Sequence, residues 1–222
     1  MKVIITGTTG MIGENVLIEC LNNPIVTEVL SVSRKPTGKH HPKLKEYIVA
    51  DFLALKENDE ELQGYDACFF CAGISSIGMD EEKYRRITYD TTLHFAKVLN
   101  PNPKMSFTYV SGIGTDSTEK APVMWRRVKG KTENDLMKLP FKQAYGFRIG
   151  VVISAIGQQH ALKSYKYVSW LFPLLTVILS NIITTAKQLA DAMIYVSQNG
   201  YKKNIIKIKD MRKIEEILKK EV

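Results

Sequence analysis

Short runs of apolar residues alternate along this chain with longer segments whose apolar positions recur every three or four residues. Lys2-Val3-Ile4-Ile5-Thr6 is β-branched and apolar throughout, and Val16, Leu17 and Leu21 then repeat at helical spacing until Asn22-Asn23-Pro24. Further apolar runs lie at Glu28 to Ser33, Tyr47 to Val49, Ala67 to Phe70, Met105 to Val110 and Ala144 to Val152. Helical segments separate the later runs. Asp80 to Leu99 carries Tyr84, Ile87, Leu93, Phe95 and Val98 on one side, and Met124 to Leu139 ends at Pro140. Strands apolar on both faces belong in the middle of a parallel sheet. The alternation therefore predicts an α/β fold, a doubly wound parallel sheet of the Rossmann type with right-handed crossovers and a small C-terminal substrate-side elaboration. A single domain over 1–222, with residues from about 153 onwards forming that elaboration, is the economical division.

Tyr167 to Ala186 breaks the pattern, because it holds no charge over twenty residues. That is bilayer length. Pro173 within it, its hydroxyl and amide residues and Asn181 argue against stable membrane insertion. A wall over a substrate cleft and a partner-binding surface remain the readings.

The chain has 222 residues, 45% hydrophobic and 24% charged, which excludes a disordered or fibrous protein. At this length a core forms without disulfide or metal staples. Cys68 and Cys71 form a C-x-x-C pair, but no second pair accompanies it, so reduced strand cysteines are preferred to a zinc or redox site and no metal is expected. With no signal peptide at the start, a cytoplasmic location is the expectation. The net charge of +8 is uneven. Arg34, Lys35, Lys39, Lys43 and Lys45 cluster without an acid, and the last 22 residues, with Ile214, Ile217 and Leu218 at helical spacing, read as a solvated amphipathic end.

Gly7-Thr8-Thr9-Gly10-Met11-Ile12-Gly13 carries the strongest chemical signal, because its glycines follow a strand and open a helix. In a dinucleotide site the first allows the turn, the second lets backbone approach a pyrophosphate and the third lets helix and strand pack closely. The helix N-terminus then offers unpaired N–H groups to the phosphates. Twenty-one residues after Gly13 stands Arg34, followed by Lys35, where an acidic residue would bind a ribose 2′-hydroxyl. A guanidinium there makes charge-assisted bonds to a 2′-phosphate, so NADP(H) is favoured and NAD(H) remains possible. With that use for the basic cluster and no dedicated motif, nucleic acid is not expected as a partner.

Thr6 to Gly13 resembles the TGxxGxxG motif of the extended and atypical short-chain dehydrogenases, the group of the nucleotide-sugar epimerases, and most resembles the atypical branch of the Tat-interactive oxidoreductase-like protein. The likeness runs through nearly the whole chain. It implies that Asp51 and Phe52 touch the adenine and that Cys71, Ala72 and Gly73 line the cofactor. It also implies that Ser111 is the active-site serine and that Lys129, on a helix with Gly130 and Glu133, is the lysine that holds the nicotinamide ribose. Gly146-Phe147-Arg148-Ile149-Gly150 resembles the family's FRPG strand, and Thr184 to Met193 its penultimate helix. The family's tyrosine, four residues before the lysine, is Trp125 here. An indole cannot exchange a proton near neutral pH, and loss of a general acid costs on the order of 10² to 10⁴ in rate. Tyr84, Tyr89, Tyr109 and Tyr145 read as core or half-buried residues, and His40, His41 and His160 as loop or surface residues.

Two functions follow from the resemblance. One is an NADP(H)-dependent oxidoreductase on an unidentified small carbonyl or alcohol, with Ser111 and Lys129 retained. The other is a non-catalytic protein whose NADP(H) occupancy controls a partner. An epimerase fits less well without the tyrosine or a larger C-terminal region. The resemblance allows a monomer or a homodimer.

Overall fold

The computed structural model describes residues 1–155, 157–158 and 181–220. β1 (Lys2–Thr6), β2 (Glu28–Ser33), β3 (Leu44–Ile48), β4 (Ala67–Phe70), β5 (Ser106–Gly112), β6 (Gln143–Ile149) and β9 (Ile205–Lys207) form one sheet in the order β3-β2-β1-β4-β5-β6-β9. Every pairing in it is parallel. A separate parallel pair joins β7 (Val151–Ile153) to β8 (Ile183–Thr185). This is the doubly wound sheet expected from the alternation of strand and helix.

Alternating side chains of the strands feed two cores. Val3, Ile5 and Phe69 pack with α1 (Met11–Asn22), α5 (Ala186–Asn199) and α6 (Ile208–Leu218) on one face. On the other, Ile4, Leu30, Cys68 and Phe70 pack with α3 (Thr91–Val98), which follows α2 (Glu81–Arg85) through a π-helical turn, and with α4 (Met124–Leu136). Phe70 is central there, with ring centroids of Phe95, Phe107 and Tyr109 at 5.7, 6.0 and 6.3 Å.

Several boundaries move for physical reasons. The expected sixth strand splits at Gly150, where a side chain would meet the Ile182 carbonyl oxygen at 2.4 Å. The π turn at Arg86–Asp90 adds a residue to one turn, so Ile87 leaves the apolar face and is 36% exposed. Residues after 183 contribute β9, α5 and α6, and Met211 and Ile214 are buried in the core on one face of the sheet, so the amphipathic end is a packed layer on one side. Of the uncharged stretch Tyr167 to Ala186, residues 167–180 lie outside the described residues. Among the described residues no helix is long and apolar enough to cross a membrane.

Phe70→Ala should destabilise the protein by about 3–5 kcal/mol, because the void it leaves opens onto three other rings that cannot all collapse into it. Urea unfolding of the variant against the parent measures this.

Candidate functional site

The order of the sheet reverses between β1 and β4, and the crevice at the carboxyl ends of these strands is where an open α/β sheet takes a ligand. A cavity of about 570 Å³ lies there. Its near wall is the β1–α1 turn, with Gly7, Thr9, Gly10, Met11 and Ile12 on the lining. Gly7 has φ +70°, and a side chain on it would lie 2.7 Å from the Ala72 backbone; one on Gly13 would lie 2.1 Å from the Gly7 carbonyl oxygen. Gly13 thus presses α1 onto the turn and does not itself line the cavity. Gly10 caps α1 without a side-chain hydrogen bond, so the first N–H groups of the helix are left for a ligand. Thr8 turns inward, its hydroxyl 2.7 Å from that of Ser31, so only its backbone is available.

At the β2 end, Ser33, Arg34 and Phe52 line the cavity. Arg34 and Lys35 are exposed and, with Thr9 and Pro36, form a second hollow of about 520 Å³ that shares Thr9 and Arg34 with the first. The other cations of the cluster are engaged. Lys39 pairs with the buried Glu14 at 2.9 Å, Lys43 donates to the Asn23 carbonyl at 2.8 Å and Lys45 pairs with Glu28 at 3.0 Å. Arg34 and Lys35 have no side-chain hydrogen bond or ion pair among the described residues. Asp51 is exposed and off the cavity, its carboxylate accepting from the Leu53 N–H at 2.9 Å, so only Phe52 of the expected adenine pair reaches the lining.

Cys71, Ala72 and Gly73 follow β4 and line the cavity directly beside the glycine turn. Burial pushes the Cys71 thiol up and keeps it protonated; Cys20 and Cys68 are likewise free thiols raised by burial.

The reacting end is built by β5, β6 and α4. Ser111 and Lys129 both line it. Ser111 is 3% exposed, and its hydroxyl donates to Glu133 Oε1 at 2.5 Å, with the Phe147 carbonyl oxygen at 3.3 Å. Its proton is therefore committed to a carboxylate. Glu133, fully buried, also takes the Arg148 guanidinium at 2.6 Å, and lies so close to Gly146 that a side chain there would meet Oε1 at 2.7 Å. Lys129, one turn before Glu133, has the Tyr109 ring centroid at 6.0 Å and no ion pair or hydrogen bond among the described residues. Burial lowers its ammonium to about 8, against the opposing pull of Glu133.

Trp125 does not line the cavity. Its ring covers the loop after β5, within 3.6 Å of where side chains on Gly112 and Gly114 would begin. Tyr109 is 2% exposed beneath Lys129, its phenol raised by burial. Tyr84 is in the core, Tyr89 donates to Asp135 at 2.7 Å and Tyr145 accepts from the Tyr201 N–H at 2.9 Å. His160 lies outside the described residues. Sequence reasoning missed Ser33, Ile74, Ser75, Val110, Ile149 and Gly150 on the lining. Their position at or just past strand ends was the available signal. It also missed the bond joining Glu133 to Arg148, which no spacing reveals.

The profile of the NAD dependent epimerase/dehydratase family matches residues 3–118. Among curated proteins, the chain is 22% identical to protein FMP52, mitochondrial, of Debaryomyces hansenii over 77% of this chain and 75% of that one. It is 22% identical to protein FMP52-1, mitochondrial, of Scheffersomyces stipitis over 99% and 100%. Among solved structures, UDP-glucuronic acid 4-epimerase from Bacillus cereus in complex with NAD superposes with a TM-score of 0.64 at 18% identity, over 99% of this chain and 84% of that one. The expectation of a cytoplasmic location is overturned by the relatives, whose names place them in mitochondria.

Glu133→Ala should destabilise the protein by about 3–5 kcal/mol, since it strands the Arg148 guanidinium in a nearly dry site. The urea midpoint reads the loss.

Proposed function

The chain belongs to the NAD dependent epimerase/dehydratase family, and from that premise we propose that it is an NADP(H)-dependent oxidoreductase acting on a small carbonyl or alcohol. One observation carries the choice of cofactor. The two cations of the 34–45 cluster without a side-chain partner among the described residues, Arg34 and Lys35, flank a hollow that opens from the main cavity at its β2 end. A ribose 2′-phosphate there would meet a guanidinium and an ammonium and no carboxylate on the lining. The uncapped start of α1 would receive the pyrophosphate, and Lys129 at the far end would hold the nicotinamide ribose. The bound dinucleotide supplies or accepts the hydride. The chain supplies orientation, with Cys71, Ala72, Gly73, Val110, Ile149 and Gly150 lining the slot along the strand ends. Glu133 keeps Lys129 and the end of β5 in register through Ser111.

A second reading, NADP(H) binding without turnover in the service of a partner interaction, is favoured by one feature. Among the described residues no tyrosine, histidine or carboxylate lines the cavity.

Arg34→Asp should weaken NADPH binding by about 10- to 100-fold, equivalent to one or two charge-assisted bonds, and leave NADH nearly unchanged. Fluorescence titration of both cofactors against the variant and the parent measures it; equal losses for the two would refute the 2′-phosphate assignment.

A further inference from the structure

Carbonyl reduction needs a proton on the substrate oxygen as the hydride arrives, and the usual donor is missing. Among the described residues, the lining at the reacting end is Val110, Ser111, Lys129, Ile149 and Gly150. Ser111 has committed its proton to Glu133 at 2.5 Å, and breaking a charge-assisted bond to a buried carboxylate is costly. The Trp125 ring lies outside, over Gly112 and Gly114, and the Tyr109 phenol is sealed below the cavity. Arg34 stands at the opposite end of the cavity, beside Ser33 and Phe52.

We propose that Lys129 is the catalytic acid and base of this site, delivering a proton from its ammonium to the carbonyl oxygen in place of the family's tyrosine. The proposal rests on the oxidoreductase reading above. In the reducing direction the carbonyl carbon accepts a hydride from a reduced nicotinamide dinucleotide and the C=O π pair moves to oxygen. That oxygen takes an N–H proton from Lys129, and the neutral amine left behind is reprotonated by water. In the oxidising direction the neutral amine takes the alcohol proton.

The surroundings suit this role. Among the described residues, the titratable groups acting on Lys129 are Glu133 on α4 and Tyr109 on β5, with Tyr84 of α2 behind that ring, while Cys71 and Arg34 line the same cavity. Glu133 is already bonded to Arg148 and Ser111, so it holds Lys129 less tightly than a free carboxylate would. Burial brings the ammonium to about 8, near where an acid and base pair works best at neutral pH.

Val110 and Ile149 wall this end, so aromatic carbonyls are apt probes. The NADPH-loaded protein is mixed with p-nitrobenzaldehyde or phenanthrenequinone and the loss of NADPH fluorescence followed across neutral and alkaline pH. The expected kcat/KM is flat at neutral pH and falls about tenfold per pH unit above a limb that lies below the range of a free lysine. At saturating NADPH, Lys129→Arg should lose on the order of 10² to 10⁴ in rate and lose the limb, the arginine still offering a cation to the ribose. A readout independent of turnover is NMR of ¹³C-methylated lysines, in which the signal missing from Lys129→Arg should titrate near pH 8. A wild-type profile without the limb, a limb that survives in Lys129→Arg, or a signal that titrates like a free lysine would each overturn the proposal while leaving the oxidoreductase reading in place. Tight NADPH binding with no hydride transfer to either probe would overturn both.

Discussion

Where β1 turns into α1, the backbone of the helix lies so close to the turn that Gly13 can carry nothing larger than hydrogen beside the Gly7 carbonyl oxygen. That approach sets the position of everything at the carboxyl edge of the sheet. It holds the uncapped start of α1 against the cavity, where the helix dipole and free N–H groups act on whatever lies there. The neighbouring strands are tied to the same turn: Thr8 bonds to Ser31 of β2, and the Thr6 hydroxyl accepts from the Ala72 N–H beyond β4 at 3.2 Å. Outer segments tie on in turn, through Lys39 to Glu14 and through the Ala155 N–H to Asn15 at 2.6 Å.

Glu133 does for the other end of the cavity what the glycine turn does for this one. It sits within hydrogen-bond reach of β5 and β6 at once, and the missing side chain of Gly146 makes the approach possible. A buried ion pair of this kind adds little net stability over an apolar replacement, yet it is expensive to break. Its effect here is geometrical. It fixes the turn of α4 that carries Lys129, and it removes Ser111 from the pool of free proton donors.

The two ends of the cavity therefore use positive charge in different ways. Arg34 and Lys35 are exposed and have no side-chain partner among the described residues, so their attraction for an anion is screened by salt. Lys129 is half-buried in the cavity wall, and its partial loss of water lowers the ammonium to about 8, so it gives up its proton more readily than a free lysine. Elsewhere, basic side chains near the C-terminus meet carboxylates, as Lys187 does with Asp191, Lys203 with Asp210 and Lys219 with Glu215. The net charge of +8 thus has a local meaning at the cavity that it lacks as a total.

The sequence by itself determined the strands, the glycine turn and the helix that follows it, because each is a local matter: β-branched apolar runs, helical spacing, and glycine where backbone must pass close to backbone. Those same local rules placed Gly7, Gly10, Arg34, Cys71, Ser111 and Lys129 at strand ends and on one helix, and all of them line the cavity. Only the tertiary structure decided what these residues are free to do. Ser111 meets Glu133 across 22 positions, and Glu133 meets Arg148 across 15, so no spacing rule connects them. Trp125 and Asp51 occupy the expected elements but face a loop and solvent, since helix and turn orientation is set by packing. The acidity of Lys129 follows from burial, which exists only once sheet and helices have closed around it.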